Sequence, residues 1–374
     1  TMESCDALII GGGPAGAACA GALTRHGLDV LVLDQKSFPR DKVCAGWITP
    51  AVLDTLQIDA ADYARGRVLQ PITGFRTGMI AGAEVETRYQ DNVSYGIRRR
   101  EFDHYLLQRS GARLRLGEPL RSLERRGDGW TVNGEIQTPL LIGAGGHFCP
   151  VARFLGSQSS AQEPVVAAKE VEFAMDAAQA KACKVQPETP ELFFCGDLKG
   201  YGWCFRKGSY LNIGLGREDR HRLSEHLDAF CDFLKHRGKI PAGVPDKFHG
   251  HAYLLHGRGV RRLFDDGVLL IGDAAGLAYP ESGEGIRPAV ESALLAATTL
   301  IEAGRDYRHR RLAPYQQRLQ DRLGPAKPAE AMHWAGQGLQ RFIGGKLLSS
   351  AWFTRHVVLD RWFLHARQSA LRAS

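Results

Sequence analysis

The stretch that most constrains the fold is "DALIIGGGPAGAACAGALTRHGLDVLVLDQ", near the start of the chain. An apolar run leads directly into Gly11, Gly13 and Gly16 in the pattern G-x-G-x-x-G, followed by a helical run and a second apolar run ending at Asp34. The first glycine allows a tight turn, the second lets the backbone approach a pyrophosphate, and the third lets helix and strand pack closely. This order of strand, turn, helix and strand predicts a Rossmann-like α/β unit that binds a dinucleotide.

Two further features of this stretch fit a dinucleotide ligand. Pro14 and Ala15 open the predicted helix, whose free N–H groups and positive dipole end suit a phosphate. Asp34 lies 23 residues after Gly11, where a carboxylate can hydrogen-bond a ribose hydroxyl. A glycine-rich turn without a ligand is the alternative, but it does not account for the strand, the helix and the acid together.

A second stretch, "LLIGDAAGLAYPESGEGIRPAVESALLAA", favours FAD over NAD. Gly272 and Asp273 follow an apolar run, which places the carboxylate for a sugar-like chain of hydroxyl groups. Gly283, Gly285 and Ile286 open another predicted helix, whose positive end suits the N1–C2=O edge of a reduced flavin. A protein that binds only NAD has no need of this second anchoring helix.

Composition excludes several other classes of protein. The 374 residues are 44% hydrophobic and 24% charged, as in an ordinary globular protein. No apolar run reaches the ~18 residues of a membrane span, and no signal peptide is visible, so a cytoplasmic protein is expected. The eight cysteines form no C-x-x-C pair and are expected as free thiols. His249, His251 and His256 have no cysteine or carboxylate at ligand spacing, so no metal is expected.

From Asp6 to about Gly304 the sequence resembles the FAD-dependent oxidoreductases that include the geranylgeranyl reductases, on a scaffold shared with flavin aromatic hydroxylases and flavin halogenases. "GGGPAG" and "GDAAG…P…GEGI" match the family's two cofactor segments. Arg99 in "RREFD" matches an arginine that contacts the cofactor, and Cys44 in "KVCAGW" resembles a cysteine–glycine element close to the flavin. The resemblance implies that Cys44 shapes the pocket or assists protonation of a substrate carbon; filling space is the alternative.

The stretch "YGWCFRKGSYLNIGLG" alternates as a β-hairpin does, with Tyr201, Trp203 and Phe205 on one face. It resembles the reductase signature Y-x-W-x-F-P-K, with Arg206 in place of the proline. The resemblance implies that the three rings line a substrate pocket, where they would bury a long hydrocarbon chain. Packing of the sheet core is the alternative for these rings, and Lys207 is expected as an exposed turn residue.

The resemblance and the alternation of segments together predict an α/β + β fold. A Rossmann-like FAD-binding domain of the glutathione-reductase type is interrupted by a β-sheet substrate domain and followed by a helical tail. The expected boundaries are 1–50, 99–158 and 266–304 for the discontinuous FAD-binding domain, 51–98 and 159–265 for the substrate domain, and 305–374 for the C-terminal region.

The resemblance implies an FAD-dependent oxidoreductase, with three functions to weigh. Reduction of carbon–carbon double bonds in a hydrophobic, isoprenoid-type substrate by hydride from reduced flavin is favoured. A monooxygenase acting on an aromatic or polyketide-like substrate is the first alternative, and a non-catalytic flavin-binding protein is the second. The G-A-D-G segment of the hydroxylases reads "GAGG" here, with Gly145 in place of the acid, which favours the reductase. The electron donor, either NAD(P)H or a reduced carrier protein, stays open.

The positive charge of the chain is concentrated in its C-terminal region. The net charge is +7, yet residues 304–374 contain 13 Lys/Arg and 4 Asp/Glu, which leaves the rest of the chain slightly negative. Aromatic and basic residues are mixed between positions 334 and 363. Contact with an anionic membrane surface is one interpretation, and packing against the substrate domain is the other. No recognition motif supports nucleic-acid binding.

Overall fold

The structure of the protein is a computed structural model. It describes residues 2–157, 165–257, 261–325 and 337–372, and for residues 337–341 it describes the backbone alone. Its strands, in chain order, are β1 (Glu3–Ser4), β2 (Ala7–Ile10), β3 (Val30–Asp34), β4 (Trp47–Ile48), β5 (Leu69–Ile72), β6 (Gly74–Met79), β7 (Glu84–Arg88), β8 (Ser94–Ile97), β9 (Arg113–Leu116), β10 (Leu123–Arg126), β11 (Gly129–Val132), β12 (Ile136–Thr138), β13 (Leu141–Gly143), β14 (Val165–Ala174), β15 (Glu191–Phe194), β16 (Gly200–Lys207), β17 (Tyr210–Arg217), β18 (His249–Leu254), β19 (Phe264–Asp265) and β20 (Val268–Leu270).

The α-helices lie between and after these strands. In chain order they are α1 (Pro14–Arg25), α2 (Pro50–Thr55), α3 (Ala60–Tyr63), α4 (Arg99–Arg109), α5 (Pro150–Phe154), α6 (Ala177–Ala182), α7 (Leu223–His236), α8 (Ile286–Ala303), α9 (His309–Leu312), α10 (Pro314–Leu323), α11 (Gln337–Leu348) and α12 (Ala351–Phe353). Short 3₁₀ helices span Arg220–Arg222 and Gly272–Ala275, and a π-helical segment spans Thr354–Phe363.

A six-stranded sheet forms the α/β part of the molecule, in the order β19-β20-β13-β2-β3-β9. All neighbours pair in parallel except β19, which is antiparallel to β20. Every residue of β2 is buried, as expected of a parallel strand covered on both faces. Helix α1 packs against α8 through small buried side chains, since alanines line both helices and let their backbones approach.

The second large sheet has seven strands in the order β18-β14-β17-β16-β15-β6-β7. Strands β16 and β17 form the hairpin predicted from the alternating residues, with Trp203 opposite Gly214. A Cβ atom on Gly214 would lie 2.2 Å from the Trp203 ring, so glycine makes room for the indole at this position. Cys204 points to the face covered by α7, whereas Trp203 and Phe205 point to the opposite face.

Two small sheets complete the fold. Strands β1, β12, β11 and β10 form a four-stranded sheet next to the α/β part, in that order. Strands β4, β8 and β5 form a three-stranded sheet, and β8 leads directly into helix α4. The predicted α/β + β fold with a helical C-terminal region is therefore confirmed.

The C-terminal region packs partly on the seven-stranded sheet. Phe363 is buried, and its ring centroid lies 5.3 Å from that of Tyr201 and 6.0 Å from that of Trp47. Phe342 and Trp352, in contrast, are 60% and 67% exposed. The first residues of the 334–363 stretch lie outside the described residues. Within the described residues, no helix has the length and apolar character that a membrane crossing requires.

Candidate cofactor and substrate site

A cavity of about 330 Å³ has walls from both large sheets. The residues that the sequence singles out and that line it are Gly11, Gly13, Pro14, Ala15, Asp34, Cys44, Arg99, Asp273, Gly283, Gly285, Ile286, Tyr201 and Trp203. Gly16, Gly272 and Phe205 do not line the cavity. The structure thus brings together residues that are up to 275 positions apart along the chain, from Gly11 to Ile286.

The three glycines of the first turn occupy their positions for different structural reasons. Gly11 has a φ of +109°, and a Cβ atom there would lie 2.3 Å from the Ala144 carbonyl oxygen. A Cβ atom on Gly16 would lie 1.9 Å from the Gly11 carbonyl oxygen, so both positions are required by the fold itself. Gly13 differs, because the nearest atom to its Cβ position is the Arg40 guanidinium, at 3.5 Å. The space in front of Gly13 is open to the cavity, which fits the pyrophosphate of FAD.

Asp34, at the end of β3, holds the glycine-rich turn between β2 and α1 by hydrogen bonds. One carboxylate oxygen accepts the Gly12 N–H at 2.7 Å, and the other accepts the Lys36 N–H at 2.8 Å. Each oxygen keeps a second lone pair, so the side chain can also accept a hydrogen bond from a ribose hydroxyl.

Two arginines on the cavity wall are fixed by one buried carboxylate. Arg99 donates to the two oxygens of Asp103 at 2.7 and 2.8 Å, and Arg40 donates to Asp103 at 3.0 Å. Asp103 has no exposed surface. The Arg99 guanidinium also lies near the Cys44 thiol on the cavity wall. A bidentate pair of this kind orients a guanidinium firmly, so Arg99 presents a positioned cation to the cavity.

Lys42, His251 and Asp273 form a row of polar groups across the cavity. Lys42 Nζ lies 3.0 Å from Nδ1 and 3.1 Å from Nε2 of the His251 ring, and His251 Nε2 lies 3.8 Å from Asp273. Burial lowers the pKa of Lys42 to about 8 and also lowers the pKa of His251. Burial acts in the opposite direction on Asp273, but the nearby His251 ring and the cations Lys42 and Arg99 hold its pKa below the ordinary value.

Sequence analysis missed two members of this row. Lys42 carries no motif of its own, and its position two residues before Cys44 is its only signal. His251 was considered only as a metal ligand. Among the described residues no group of three His, Cys, Asp or Glu side chains is arranged for a metal ion.

The start of α8 forms another part of the wall. Gly283 has a φ of +69°, and a Cβ atom there would lie 2.5 Å from the Tyr253 hydroxyl. Both the backbone conformation and the close contact therefore require glycine at this position. Gly285 precedes the first turn of α8, and the Glu284 carboxylate accepts the Arg287 N–H at 2.7 Å. Burial raises the pKa of Glu284 to about 7. The wall therefore carries a carboxyl group that is only partly ionised at neutral pH.

The aromatic residues of the hairpin do not share one environment. Tyr201 and Trp203 line the cavity with ring centroids 6.1 Å apart, and Tyr201 donates its hydroxyl to the Ser282 carbonyl. Phe205 is 4% exposed and packs in the apolar cluster behind them. The alternation thus puts all three rings on one face, but only the first two reach the cavity.

Lys207 is fully buried, so the expectation of an exposed turn residue is wrong. Its Nζ donates to Glu172 and to the Ile97 carbonyl, both at 2.8 Å. The physical reason is that Lys207 is still paired in β16, and the turn consists of Gly208 and Ser209. Arg206, at the position of the signature proline, donates to the Ala180 carbonyl at 3.2 Å and does not line the cavity.

Cys44 lies on the loop between the two large sheets and is half-buried. Its Sγ accepts the Gly46 N–H at 3.4 Å, and its carbonyl oxygen accepts a hydrogen bond from Asn212 at 3.1 Å. All eight cysteines are free thiols. Cys44 is therefore a thiol on the cavity wall, next to the Arg99 guanidinium.

Comparison with known proteins identifies the fold and the family. A family profile described as an FAD binding domain matches residues 4–323. The digeranylgeranylglycerophospholipid reductase of Methanocaldococcus jannaschii is 24% identical over 332 residues, which cover 85% of this chain and 82% of that protein.

Two solved structures share the fold. A geranylgeranyl bacteriochlorophyll reductase-like protein from Thermoplasma acidophilum has a TM-score of 0.74 and 21% identity, covering 93% of this chain and 88% of the other. A probable FAD-dependent monooxygenase from Pseudomonas aeruginosa has a TM-score of 0.67 and 20% identity, covering 92% and 100%. The family resemblance predicted from the sequence is confirmed, and the chain belongs to the family of proteins with this FAD binding domain.

Proposed function

We propose that the protein is an FAD-dependent reductase that saturates carbon–carbon double bonds of a long hydrophobic, isoprenoid-type substrate. The observation that carries this proposal is the placement of Tyr201 and Trp203 in the same cavity as the open Gly13 turn. An aromatic wall beside a nucleotide-binding turn suits a substrate that is mostly hydrocarbon. The names of the curated relatives, which are reductases of an isoprenoid lipid, support the same substrate class.

The proposed cofactor contacts follow from the cavity wall. The open face of Gly13 and the first N–H groups of α1 would hold the pyrophosphate, and Asp34 would hold a ribose hydroxyl. Asp273 would accept hydrogen bonds from the ribityl chain, with Arg99 as a further contact. FAD in this place would supply hydride chemistry.

The residues on the substrate side would position an alkene and exclude water. Tyr201, Trp203 and Trp47 present apolar ring surface to the cavity, and burial of apolar surface contributes about 25 cal/mol per Å². This wall binds hydrocarbon without distinguishing one double bond from the next, so depth of insertion would decide which bond is reduced.

Saturation of an alkene requires a proton as well as a hydride, and Cys44 is the residue proposed to assist this protonation. Its thiol lies in the wall near the Arg99 guanidinium, so it would shape the pocket or hold a proton at Sγ. Cys44→Ser keeps a proton donor of similar size and Cys44→Ala removes it. A role in protonation requires slower turnover in both variants, with Cys44→Ala the slower, at unchanged FAD content.

The electron donor is proposed to be NAD(P)H or a reduced carrier protein. Each is tested by adding it anaerobically to the yellow protein and following the loss of flavin absorbance. A donor that bleaches the flavin rapidly, at a rate that saturates with donor concentration, qualifies.

The deciding experiment measures substrate mass. A panel of prenyl lipids and aromatic compounds is incubated with the chemically reduced protein, with and without air. A gain of two hydrogens that persists without oxygen supports the reductase, whereas a gain of one oxygen seen only in air makes the protein a monooxygenase. No mass change in a flavin-loaded protein, across the whole panel, favours the non-catalytic alternative.

A further inference from the structure

A fully buried amide connects the two groups that the proposed function uses on the substrate side. Asn212, in β17, has no exposed surface and does not line the cavity. Its Oδ1 accepts the Trp203 indole N–H at 2.8 Å, and its Nδ2 donates to the Cys44 carbonyl oxygen at 3.1 Å. Trp203 and Cys44 both line the cavity, 159 positions apart along the chain.

A layer of charged groups behind Asn212 fixes the orientation of its amide. Nδ2 lies 3.0 Å from a carboxylate oxygen of Glu170 and 3.0 Å from one of Glu172, both in β14. Lys207 pairs with Glu172, and the Cys44 backbone amide faces Glu170. Rotating the amide by half a turn would set its oxygen against the Glu172 carboxylate and the Cys44 carbonyl oxygen, and its NH₂ against the indole N–H. The orientation that serves both Trp203 and Cys44 is therefore the only one that the layer permits.

The loop that carries Cys44 rests directly on this layer. A Cβ atom on Gly46 would lie 2.3 Å from Lys207 Nζ and 2.2 Å from the Ile97 carbonyl oxygen. The loop therefore has no room to move toward the sheet. Movement away from the sheet is opposed at Cys44 by the contact from Asn212 to its carbonyl oxygen, and at Gly46 by the hydrogen bond that the Ile97 N–H donates to the Gly46 carbonyl at 2.7 Å.

A carboxamide offers an acceptor for the indole and a donor for the carbonyl at once, whereas an alkyl side chain offers neither. Asn212→Asp keeps the acceptor and loses the donor when its carboxyl group is ionised, and it then adds a negative charge beside Glu170 and Glu172. Asn212→Leu loses both and leaves the Trp203 N–H and the Cys44 carbonyl oxygen without this partner, which is costly for buried groups.

We propose that Asn212 is a positioning residue that holds the Cys44 loop and the Trp203 ring in one fixed relation across the cavity. It acts through these two residues and touches neither cofactor nor substrate. The functional meaning of this relation rests on the proposed reductase function, whereas the contacts themselves do not.

The test measures the chemical accessibility of the Cys44 thiol, which needs no turnover. Six of the eight cysteines are buried, and Cys231 is the other half-buried thiol, so the experiment uses a Cys231→Ser background. The rate of Cys44 alkylation by iodoacetamide is followed by peptide mass spectrometry in the parent, Asn212→Asp and Asn212→Leu, with and without FAD. Release of the loop should raise the rate about tenfold in Asn212→Leu and several-fold in Asn212→Asp, on the scale of one or two lost hydrogen bonds.

A matched control separates positioning from general destabilisation. Glu191 is a buried carboxylate of β15 in the same sheet, 2.8 Å from Lys239, and it pairs with Cys204, so its side chain lies on the face opposite to Trp203. Glu191→Gln should lower stability and leave the Cys44 alkylation rate at the parental value. An equal increase in this control, or unchanged alkylation in folded Asn212→Leu, overturns the proposal.

The experiments distinguish an incorrect reductase function from an incorrect role of Asn212. If the protein reduces alkenes, Asn212→Asp should lower kcat more than it lowers FAD content. If no compound of the panel is reduced by the parent, the alkylation experiment still decides whether Asn212 holds the loop.

Discussion

Lys207 Nζ lies 2.8 Å from Glu172 Oε2 in a place where none of the lysine side chain is exposed. Arg98 Nε lies 3.1 Å from the other carboxylate oxygen of Glu172. Lys207→Met keeps the length of the side chain but removes its charge, and leaves Glu172 with Arg98 as its remaining cation. Loss of one partner from a buried ion pair typically costs about 3 kcal/mol or more, so the free energy of unfolding should fall by about 3 kcal/mol in urea denaturation.

The control for this prediction is the exposed pair of Arg222 and Glu225, which lie 2.9 Å apart. Arg222→Met should change the free energy of unfolding by less than about 0.5 kcal/mol, because solvent screens an exposed pair. Equal losses in Lys207→Met and Arg222→Met would contradict the assignment of Lys207 to a buried ionic layer.

Glu170 should make stability fall as the pH rises. Burial raises its pKa from the ordinary 4.5 to about 8, against the opposing charge of Lys207 and a hydrogen bond from Asn212. Between pH 4.5 and 8 the folded protein keeps a proton on Glu170 that the unfolded chain has released, so this contribution is full below pH 4.5 and is lost toward pH 8. One such proton changes the free energy of unfolding by up to about 1.4 kcal/mol per pH unit.

Glu170→Gln isolates this effect, because glutamine resembles the protonated carboxyl group. The decrease in the free energy of unfolding from pH 5.5 to pH 8 should be smaller in the variant than in the parent, as measured by chemical denaturation at both pH values. The same decrease in both proteins would show that Glu170 titrates near its ordinary pKa.

Gly13→Val should give a folded protein without flavin. A Cβ atom fits at Gly13 with its nearest neighbour 3.5 Å away, so the fold tolerates the side chain, which instead fills the space proposed for the pyrophosphate. Flavin absorbance after purification should be lost, while circular dichroism stays that of the parent. A yellow Gly13→Val protein would contradict the proposed cofactor contact. Gly250→Val controls for loss of flavin during purification, because Gly250 lies outside the cavity and the nearest atom to its Cβ position is 3.9 Å away.

Trp203→Ala should weaken the binding of a long-chain substrate without changing FAD content. Removal of a large ring from the cavity wall takes away apolar contact worth roughly 1 to 3 kcal/mol, so affinity should fall about 5- to 150-fold. Binding of a prenyl lipid is measured by its effect on flavin fluorescence. Phe205→Leu, behind the wall, should leave affinity unchanged, and an equal loss in both variants would place Trp203 in the core rather than at the substrate.

The exposed aromatic residues of the C-terminal region are proposed to contact an anionic membrane surface. Phe342 and Trp352 are 60% and 67% exposed, and Lys346 Nζ lies 4.7 Å above the Phe342 ring. The double variant Phe342→Glu, Trp352→Glu should sediment with phosphatidylglycerol vesicles at least about tenfold more weakly than the parent. Phe148→Glu, at an equally exposed ring of the α/β part, should bind like the parent. Equal binding by all three proteins would favour packing as the sole role of the C-terminal region.

The parts of the fold that the sequence predicts are those with local signals. Strand β2, helix α1 and strand β3 follow from one glycine pattern between two apolar runs, and the β16–β17 hairpin follows from alternation around Gly208. These signals act within about 30 residues, because turn chemistry and side-chain periodicity are properties of neighbours along the chain.

The parts that the sequence does not predict depend on partners that are distant along the chain. Lys207 reads as a turn lysine because Glu172, which makes its burial acceptable, lies 35 residues away on another strand. Lys42 and His251 are 209 residues apart and carry no shared motif. Sheet packing brings such pairs together, and a pattern within one segment contains no information about it.

The order of the cavity residues along the chain determines when the cavity can form during protein synthesis. Its residues alternate along the chain between the two large sheets and end with Ala289 in α8. A ribosome makes the Gly13 turn more than 270 residues before it makes α8, so a growing chain has the first wall of the cavity long before the closing one. A complete cavity cannot form before α8 has emerged, and capture of a ligand by the whole wall is a late event in the life of the nascent chain.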